Sequence, residues 1–230
     1  MIRLGVTGTD TGVGKTLVSV ALVWLFRRHG LRVAAMKPVE TGNGDDAVRL
    51  WHVAGASDQP EDVCPYRFEE PLAPYLAAQR AGATIDPTVL DAALNRLGRN
   101  KDAIVVEGAG GLLVPYTREM SFDGLCHRWR LQLVVVATNR LGAINHTLLT
   151  VRAAQASGLT VRAVVLTTPH ANAADLAETT NLALLRELTD VPIFNLPYQR
   201  SPAATASACE PLAQVLMHPR HSTYDSISYG

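Results

Sequence analysis

The sequence predicts a doubly wound α/β fold, with a mainly parallel sheet and helices on both of its faces. Three observations support this. Short β-rich runs alternate along the chain with longer helical stretches. Several of the runs are apolar at consecutive positions, and a glycine-rich segment joins the first run to the first helix. Strands covered on both faces read as continuous apolar runs, and repeated strand-then-helix units imply right-handed crossovers. The chain has 230 residues, 47% apolar and 18% charged, which is enough to bury a core and too apolar for disorder. We expect one domain over residues 1–218 and a polar, flexible tail at 219–230.

The expected strands are Ile2–Thr7, Arg32–Met36, Ala103–Glu107, Leu131–Ala137, Val161–Thr167 and Ile193–Leu196. Between them, Lys15–His29 reads as a helix that is apolar around most of its circumference. It finishes with Arg27, Arg28, His29 and Gly30, as the negative end of a helix favours. Asp45 and Asp46 stand near the start of a short helix running to Val53. Asp86–Leu97, Ile144–Ser157 and Ala173–Leu188 are the other helices. The proline-containing stretches Gln59–Pro74 and Ser201–Pro219 read as excursions or terminal loops. Burial is expected for Trp24, Trp51 and Trp129.

Composition removes several functions. Lys plus Arg equals Asp plus Glu at 21 each, so no global field draws in nucleic acid or an anionic membrane, and an anion needs a local site. Cys64, Cys126 and Cys209 are far apart and odd in number, and no CxxC or Cys/His cluster suggests a metal. The opening MIRLGVTG has no signal-peptide pattern, and no apolar run is long enough to span a bilayer. Cytoplasm is the expected location.

Residues 8–16 read GTDTGVGKT, directly after a strand and before a helix. A triphosphate is held by inward-pointing backbone N–H groups, which need glycines, and by the positive end of a helix. Gly12 and Gly14 permit that approach, Lys15 supplies a point charge for the β and γ phosphates, and the Thr16 hydroxyl can ligate Mg²⁺. The usual spacing puts a first glycine at Thr9; here Gly8 lies one residue further back. The pattern is that of a P-loop NTPase.

Four further residues are candidates. Lys37 closes the second strand, and Pro38 keeps it extended. There it can neutralise an anion formed during reaction, or be an exposed strand-end lysine. Asp45 and Asp46, taken singly, read as dipole-compensating residues of a first helical turn. Glu107 is more distinctive, because AIVVE delivers it to the sheet edge just before Gly108-Ala109-Gly110-Gly111. P-loop enzymes hold Mg²⁺ opposite the loop threonine in that way.

GTDTGVGKT, KPVETG, VEGAGGLLVP and LGAINHTLLT occur in the order and context found in dethiobiotin synthetases, and the chain resembles that family over most of its length. The lengthened phosphate loop is similar to the family's own form. The resemblance implies that Gly12, Val13, Gly14, Lys15, Thr16 and Leu17 hold ATP, that Thr16, Asp46 and Glu107 bind Mg²⁺, and that Lys37 is catalytic with Lys15 assisting. It implies contacts to the diamine or its carbamate from Thr11, Lys37 and Thr41. Gly108, Ala109, Gly110 and Gly111 would lie beside phosphates and substrate. Leu141, Gly142 and Asn145 would receive the substrate carboxylate across a homodimer interface. Thr167, Thr168, Pro197 and Tyr198 would lie at the base. Many members carry an Asn where Thr167 falls, and one hydroxyl cannot present an amide's paired donor and acceptor. The implied substrates are 7,8-diaminononanoate, CO₂ or bicarbonate, and ATP.

Two other readings compete. Amide-forming relatives fed with ammonia by glutamine carry an additional glutaminase domain, for which 230 residues leave no room. Partner-regulated ATPase switches of the MinD/ParA type carry a second lysine early in the loop, where this chain has Thr9, Asp10 and Thr11.

Overall fold

A computed structural model describes residues 1–171 and 175–218. The tail expected at 219–230 and the first residues of the helix expected from Ala173 lie outside the described residues. In chain order the elements are β1 (Ile2–Gly8), α1 (Lys15–Arg28), β2 (Val33–Met36), β3 (Val39–Thr41), α2 (Asp46–Val53), α3 (Pro60–Val63), β4 (Tyr66–Phe68), α4 (Pro74–Arg80) and α5 (Pro87–Leu97). There follow β5 (Ala103–Gly111), α6 (Phe122–Arg128), β6 (Gln132–Thr138), α7 (Ala143–Ala156), β7 (Val161–Thr167), α8 (Leu176–Leu188), β8 (Ile193–Leu196) and α9 (Pro202–Met217).

Six strands form one sheet in the order β2-β5-β1-β6-β7-β8, and every pairing in it is parallel. The order turns at β1, whose neighbours come from later in the chain, and a ligand crevice belongs at the strand carboxyl ends beside such a point. β3 and β4 pair in parallel as a separate ribbon. β1 and β5 run in register to Val6–Glu107 and then resume at Gly8–Gly111, with a bulge between. That bulge carries the glycine segment beyond the expected strand end at Glu107.

The apolar runs are explained by two cores, one on each face of the sheet. In β5, Ala103 and Val105 face the core shared with Leu22, Leu25 and Phe26 of α1. Ile104 and Val106 face the other, shared with Leu90, Leu94 and Leu97 of α5. Burying such a side chain is worth about 1.5–3 kcal/mol, and here successive residues contribute on both sides.

The stretch from Ser201 is a helix rather than the loop expected from its prolines. Ser201 caps it by accepting from the Ala204 N–H, and Pro202 sits in the first turn, where its missing donor costs nothing. Pro211, inside the helix, lies on the exposed side with Ser207, whose carbonyl it leaves without a helical donor on the side open to water. The opposite side buries Cys209, Leu212, Ala213 and Leu216 in the α1 core. The stretch Gln59–Pro74 likewise contains α3 and β4. Trp24 is 39% exposed rather than buried. The Arg28 guanidinium lies 5.3 Å from its ring centre, so the ring lies against a cation at the surface. The three cysteines are free and buried, and burial pushes the Cys64 thiol up to about 11. No helix among the described residues is long and apolar enough to cross a membrane.

Candidate active site

The phosphate loop turns where its glycines allow it. Gly12 and Gly14 have φ of 70° and 94°, a left-handed backbone that other residues adopt at a cost. Gly8 is needed for a different reason. A Cβ there would stand 2.7 Å from both the Asp10 carbonyl oxygen and Val13 Cγ2, and 3.2 Å from Lys15 Nζ. The longer loop folds back over β1, and only a glycine fits beneath it. Lys15 Nζ donates to the Asp10 carbonyl at 3.1 Å. Burial first, and then the Lys37 charge, lower the Lys15 pKa from its ordinary value.

At the carboxyl ends of β2 and β5 the candidate residues form one cluster. Lys37 Nζ donates to Glu107 Oε1 at 2.6 Å and to Asp46 Oδ2 at 3.0 Å. Thr16 Oγ1 stands 2.7 Å from Asp46 Oδ1 and 2.9 Å from Glu107 Oε1. Glu107 is fully buried and Lys37 is 4% exposed. Burial works against the Lys37 ammonium, but the charges of Glu107 and Asp46 outweigh it and hold its pKa above the ordinary lysine value. Asp46 is likewise opposed by burial, yet Lys37 and the Thr16 hydroxyl bring its carboxyl below the usual range.

A threonine has one hydroxyl proton, so Thr16 can donate to only one of the two carboxylates at its oxygen. Glu107 Oε2 is buried without a hydrogen-bond partner. A hydroxyl and two carboxylates converging with too few protons form a hard-oxygen set suited to Mg²⁺, which keeps waters and takes its remaining ligands from substrate phosphates. The residues therefore fit the ion. Among the described residues there is no group of three His, Cys, Asp or Glu side chains placed to hold a metal ion.

A cavity of about 470 Å³ opens over the cluster. Of the residues singled out in the sequence, Thr11, Gly12, Gly14, Lys15, Thr16 and Leu17 line it from the loop. Lys37, Thr41, Asp46, Ala109 and Gly110 line the remainder. Glu40, Gly44 and Arg49 join them without having been expected. Val13 is buried under the loop and Glu107 beneath the cavity floor. Gly108 lies against Phe122, whose ring would stand 2.8 Å from an added Cβ. Gly111 belongs to an adjoining groove that shares Thr11 and Gly110 with the cavity and is walled by Leu113 and Leu149.

Other expected residues stand outside the cavity. Leu141 is 85% exposed, and Gly142 turns the chain with φ 90° into the first turn of α7, where Asn145 is exposed. Pro197 and Tyr198 are exposed after β8, and the Thr168 N–H donates to the Leu196 carbonyl. Thr167 is buried, and its hydroxyl donates to the Val13 carbonyl at 2.7 Å. Its methyl lies 3.3 Å from where a Cβ on Gly14 would be. This side chain is committed to the underside of the phosphate loop.

Two supporting residues were given no role in the sequence, although one, Glu40, lies within KPVETG. The buried Tyr116 hydroxyl accepts from the Ala109 N–H at 2.9 Å, fixing the bulged wall of the cavity. Glu40, 3% exposed, accepts from the Ala47 N–H at 3.1 Å and pairs with Arg67 at 3.2 Å. It thereby ties down the start of α2, which carries Asp46. Both partnerships join segments that the linear pattern does not relate.

A parallel sheet with a glycine-rich loop, a loop lysine and threonine, and a strand-end acid opposite them defines a P-loop nucleotide-binding protein. The AAA domain family matches residues 3–202. The chain is 39% identical over 196 residues to the ATP-dependent dethiobiotin synthetase BioD of Bacillus cereus, and 38% identical to that of Bacillus thuringiensis. Each alignment covers 83% of this chain and 81% of the relative. The chain belongs to the dethiobiotin synthetase family. Among solved structures, the signal recognition particle receptor FtsY of Elizabethkingia anophelis superposes with a TM-score of 0.51 at 15% identity. That match covers 89% of this chain and 64% of the receptor chain, so the present chain spans under two thirds of it and the likeness is of fold alone.

Proposed function

We propose that the protein is an ATP-dependent ligase that makes dethiobiotin, closing a cyclic urea on 7,8-diaminononanoate with CO₂ in biotin biosynthesis. The observation that carries this reading is the contact of Thr16, Lys37, Asp46 and Glu107 in one cluster on the cavity floor beside Lys15. In the first stage an amine of the diamine adds to CO₂ and loses a proton, leaving a carbamate. A carbamate oxygen then attacks the γ phosphorus of ATP, and ADP leaves with the bridging oxygen and its electron pair. The second amine attacks the carbamoyl carbon, phosphate departs, and the ring closes.

The first difficulty is charge, since a carbamate must approach a triphosphate. Lys15 neutralises it from the phosphate loop and Lys37 from the end of β2, and their low exposure strengthens each attraction. Gly12 to Leu17 bind the phosphates through backbone donors and the α1 terminus. Thr16, Asp46 and Glu107 would hold Mg²⁺, which when bound offsets phosphate charge. Thr11 and Thr41 orient the diamine, Ala109 and Gly110 wall the site, and Gly111 lies in the groove beside it. Ring closure is intramolecular and needs chiefly positioning, and no covalent enzyme nucleophile is required.

Leu141, Gly142 and Asn145 do not line this cavity, and the exposed Leu113, Leu141 and Leu149 support a homodimer in which they meet the partner's substrate. With Thr167 committed to the loop, Thr168, Pro197 and Tyr198 carry the base contacts through backbone and ring surface. One assay tests this reading. Phosphate release should require both the diamine and bicarbonate, and should be compared with ATP, GTP, CTP and UTP. Release that is independent of the diamine would overturn the assignment.

A further inference from the structure

Arg49 is a cavity-lining cation to which neither the motifs nor the family likeness gives a role. It follows Asp46 by three residues on α2, so the two side chains leave the helix on one face. Ala47 and Leu50 are buried beneath that helix at 1% and 0% exposure. Their burial fixes its rotation and brings Arg49 to the cavity wall with Thr16, Thr41 and Asp46.

The other two cavity cations already have partners. Lys37 is held by Glu107 and Asp46, and Lys15 by the Asp10 carbonyl. Among the described residues the Arg49 side chain makes no hydrogen bond or ion pair, although its charge is felt at Asp46. A guanidinium without a protein partner, at the mouth of an anion site, has its planar donors available for two phosphoryl oxygens at once. An arginine supplied by the same chain performs this service in other phosphoryl-transfer enzymes.

We propose that Arg49 receives the phosphoryl group in transit, first as the γ-phosphate of ATP and then as the phosphate of the carbamic–phosphoric anhydride, a role that rests on the reaction proposed above. As the carbamate oxygen–phosphorus bond forms and the bridging oxygen leaves on ADP, charge spreads over the three non-bridging oxygens. Arg49 meets that charge and exchanges no proton. Its reach to the cavity mouth also makes it the last cation to hold departing phosphate.

The test compares wild type, R49A and R49K in the full chain, with two readouts. In turnover with diamine, bicarbonate and MgATP, R49A should lower kcat by roughly ten- to a hundredfold, the range for losing a charge-assisted hydrogen bond, and R49K should recover part of this. The KM for the diamine should move less than about twofold if Arg49 serves the phosphoryl group alone. In calorimetry, MgADP with aluminium fluoride, a mimic of the group in transit, should bind wild type more tightly than MgADP alone. R49A should lose that gain while keeping its affinity for MgADP. Unchanged kcat with an unchanged fluoride gain would overturn the proposal, and so would a defect confined to the diamine KM. Wild-type enzyme without diamine-dependent phosphate release would sink the proposed function instead, and the fluoride comparison would still judge Arg49. An unchanged melting temperature, expected for a side chain without partners, separates these outcomes from misfolding.

Discussion

Replacing Lys37 with Met keeps a long, flexible side chain and removes the one cation that touches both the buried Glu107 and the half-buried Asp46. Glu107 is then left fully buried with only a share of the single Thr16 proton. Removing one partner of a buried ion pair costs about 3–5 kcal/mol, but the protein can escape by taking up a proton. Neutralising a glutamate of ordinary pKa, near 4.3, costs about 1.36 kcal/mol per pH unit, or about 3.7 kcal/mol at pH 7 and about 1 kcal/mol at pH 5. That ceiling limits the penalty. The sign follows: a carboxyl forced to protonate on folding destabilises little at low pH, and increasingly as pH rises above the unfolded value. A chain of this size loses about 2–4 °C per kcal/mol, so Lys37→Met should melt roughly 6–15 °C below wild type at pH 7 and only a few degrees below it at pH 5. Thermal denaturation at the two pH values reads this directly. Adding Glu107→Gln to the variant should restore most of the loss at pH 7. A penalty of equal size at both pH values, or none at pH 7, would refute the electrostatic account of the cluster.

Other consequences can be measured independently. Turnover by Lys37→Ala should be nearly abolished while MgATP binding, followed by calorimetry, stays close to wild type. Glu107→Gln should shift the Mg²⁺ titration of turnover to higher concentration, and an unchanged titration would return Glu107 to a purely structural role. Tyr116→Phe removes the acceptor of the Ala109 N–H, at a cost of about 1–3 kcal/mol for a buried donor left unpaired, visible in a urea unfolding midpoint. Asp91 accepts from Arg128 and from Trp129 Nε1. The Arg128 hydrogen bond holds its carboxyl below the usual range. Its contribution to stability is therefore complete above about pH 3.9 and fades as pH falls through the lower folded value. The melting difference between wild type and Asp91→Asn should shrink below pH 4, and a constant difference would contradict it.

Much of this was legible in the sequence where one segment holds its own signal. The bounds of Val161–Thr167 and Ile193–Leu196 are legible to the residue, because each is a short β-rich run set off from the helices on either side by a turn or a proline. The phosphate loop was legible because its glycines serve geometry that only glycine permits. What escaped depends on distant segments. Thr16 and Asp46 are 30 positions apart, and only the family resemblance, not helix-start chemistry, separates Asp46 from Asp45 before α2 is docked against the loop. Thr167 lies under Val13, 154 positions away, so the sequence alone could not reveal that its hydroxyl is spent there. α9 was misread because Pro202 and Pro211 act as breakers only where a donor is needed, and the fold asks for neither.

The bulge in β5 has a further consequence for what insertions and deletions the protein can tolerate. Between Glu107 and Gly111 the strand holds two residues more than its neighbour does between Val6 and Gly8, and this slack turns the Ala109 and Gly110 backbone into the cavity. Shortening the segment by one residue would draw Leu112 into the place opposite Gly8. Even a Cβ at Gly111 would lie 3.3 Å from the Gly8 carbonyl oxygen, so a leucine there would wedge apart the two strands that present the phosphate loop and Glu107. The length of this short turn is therefore as tightly constrained as any side chain in the cluster.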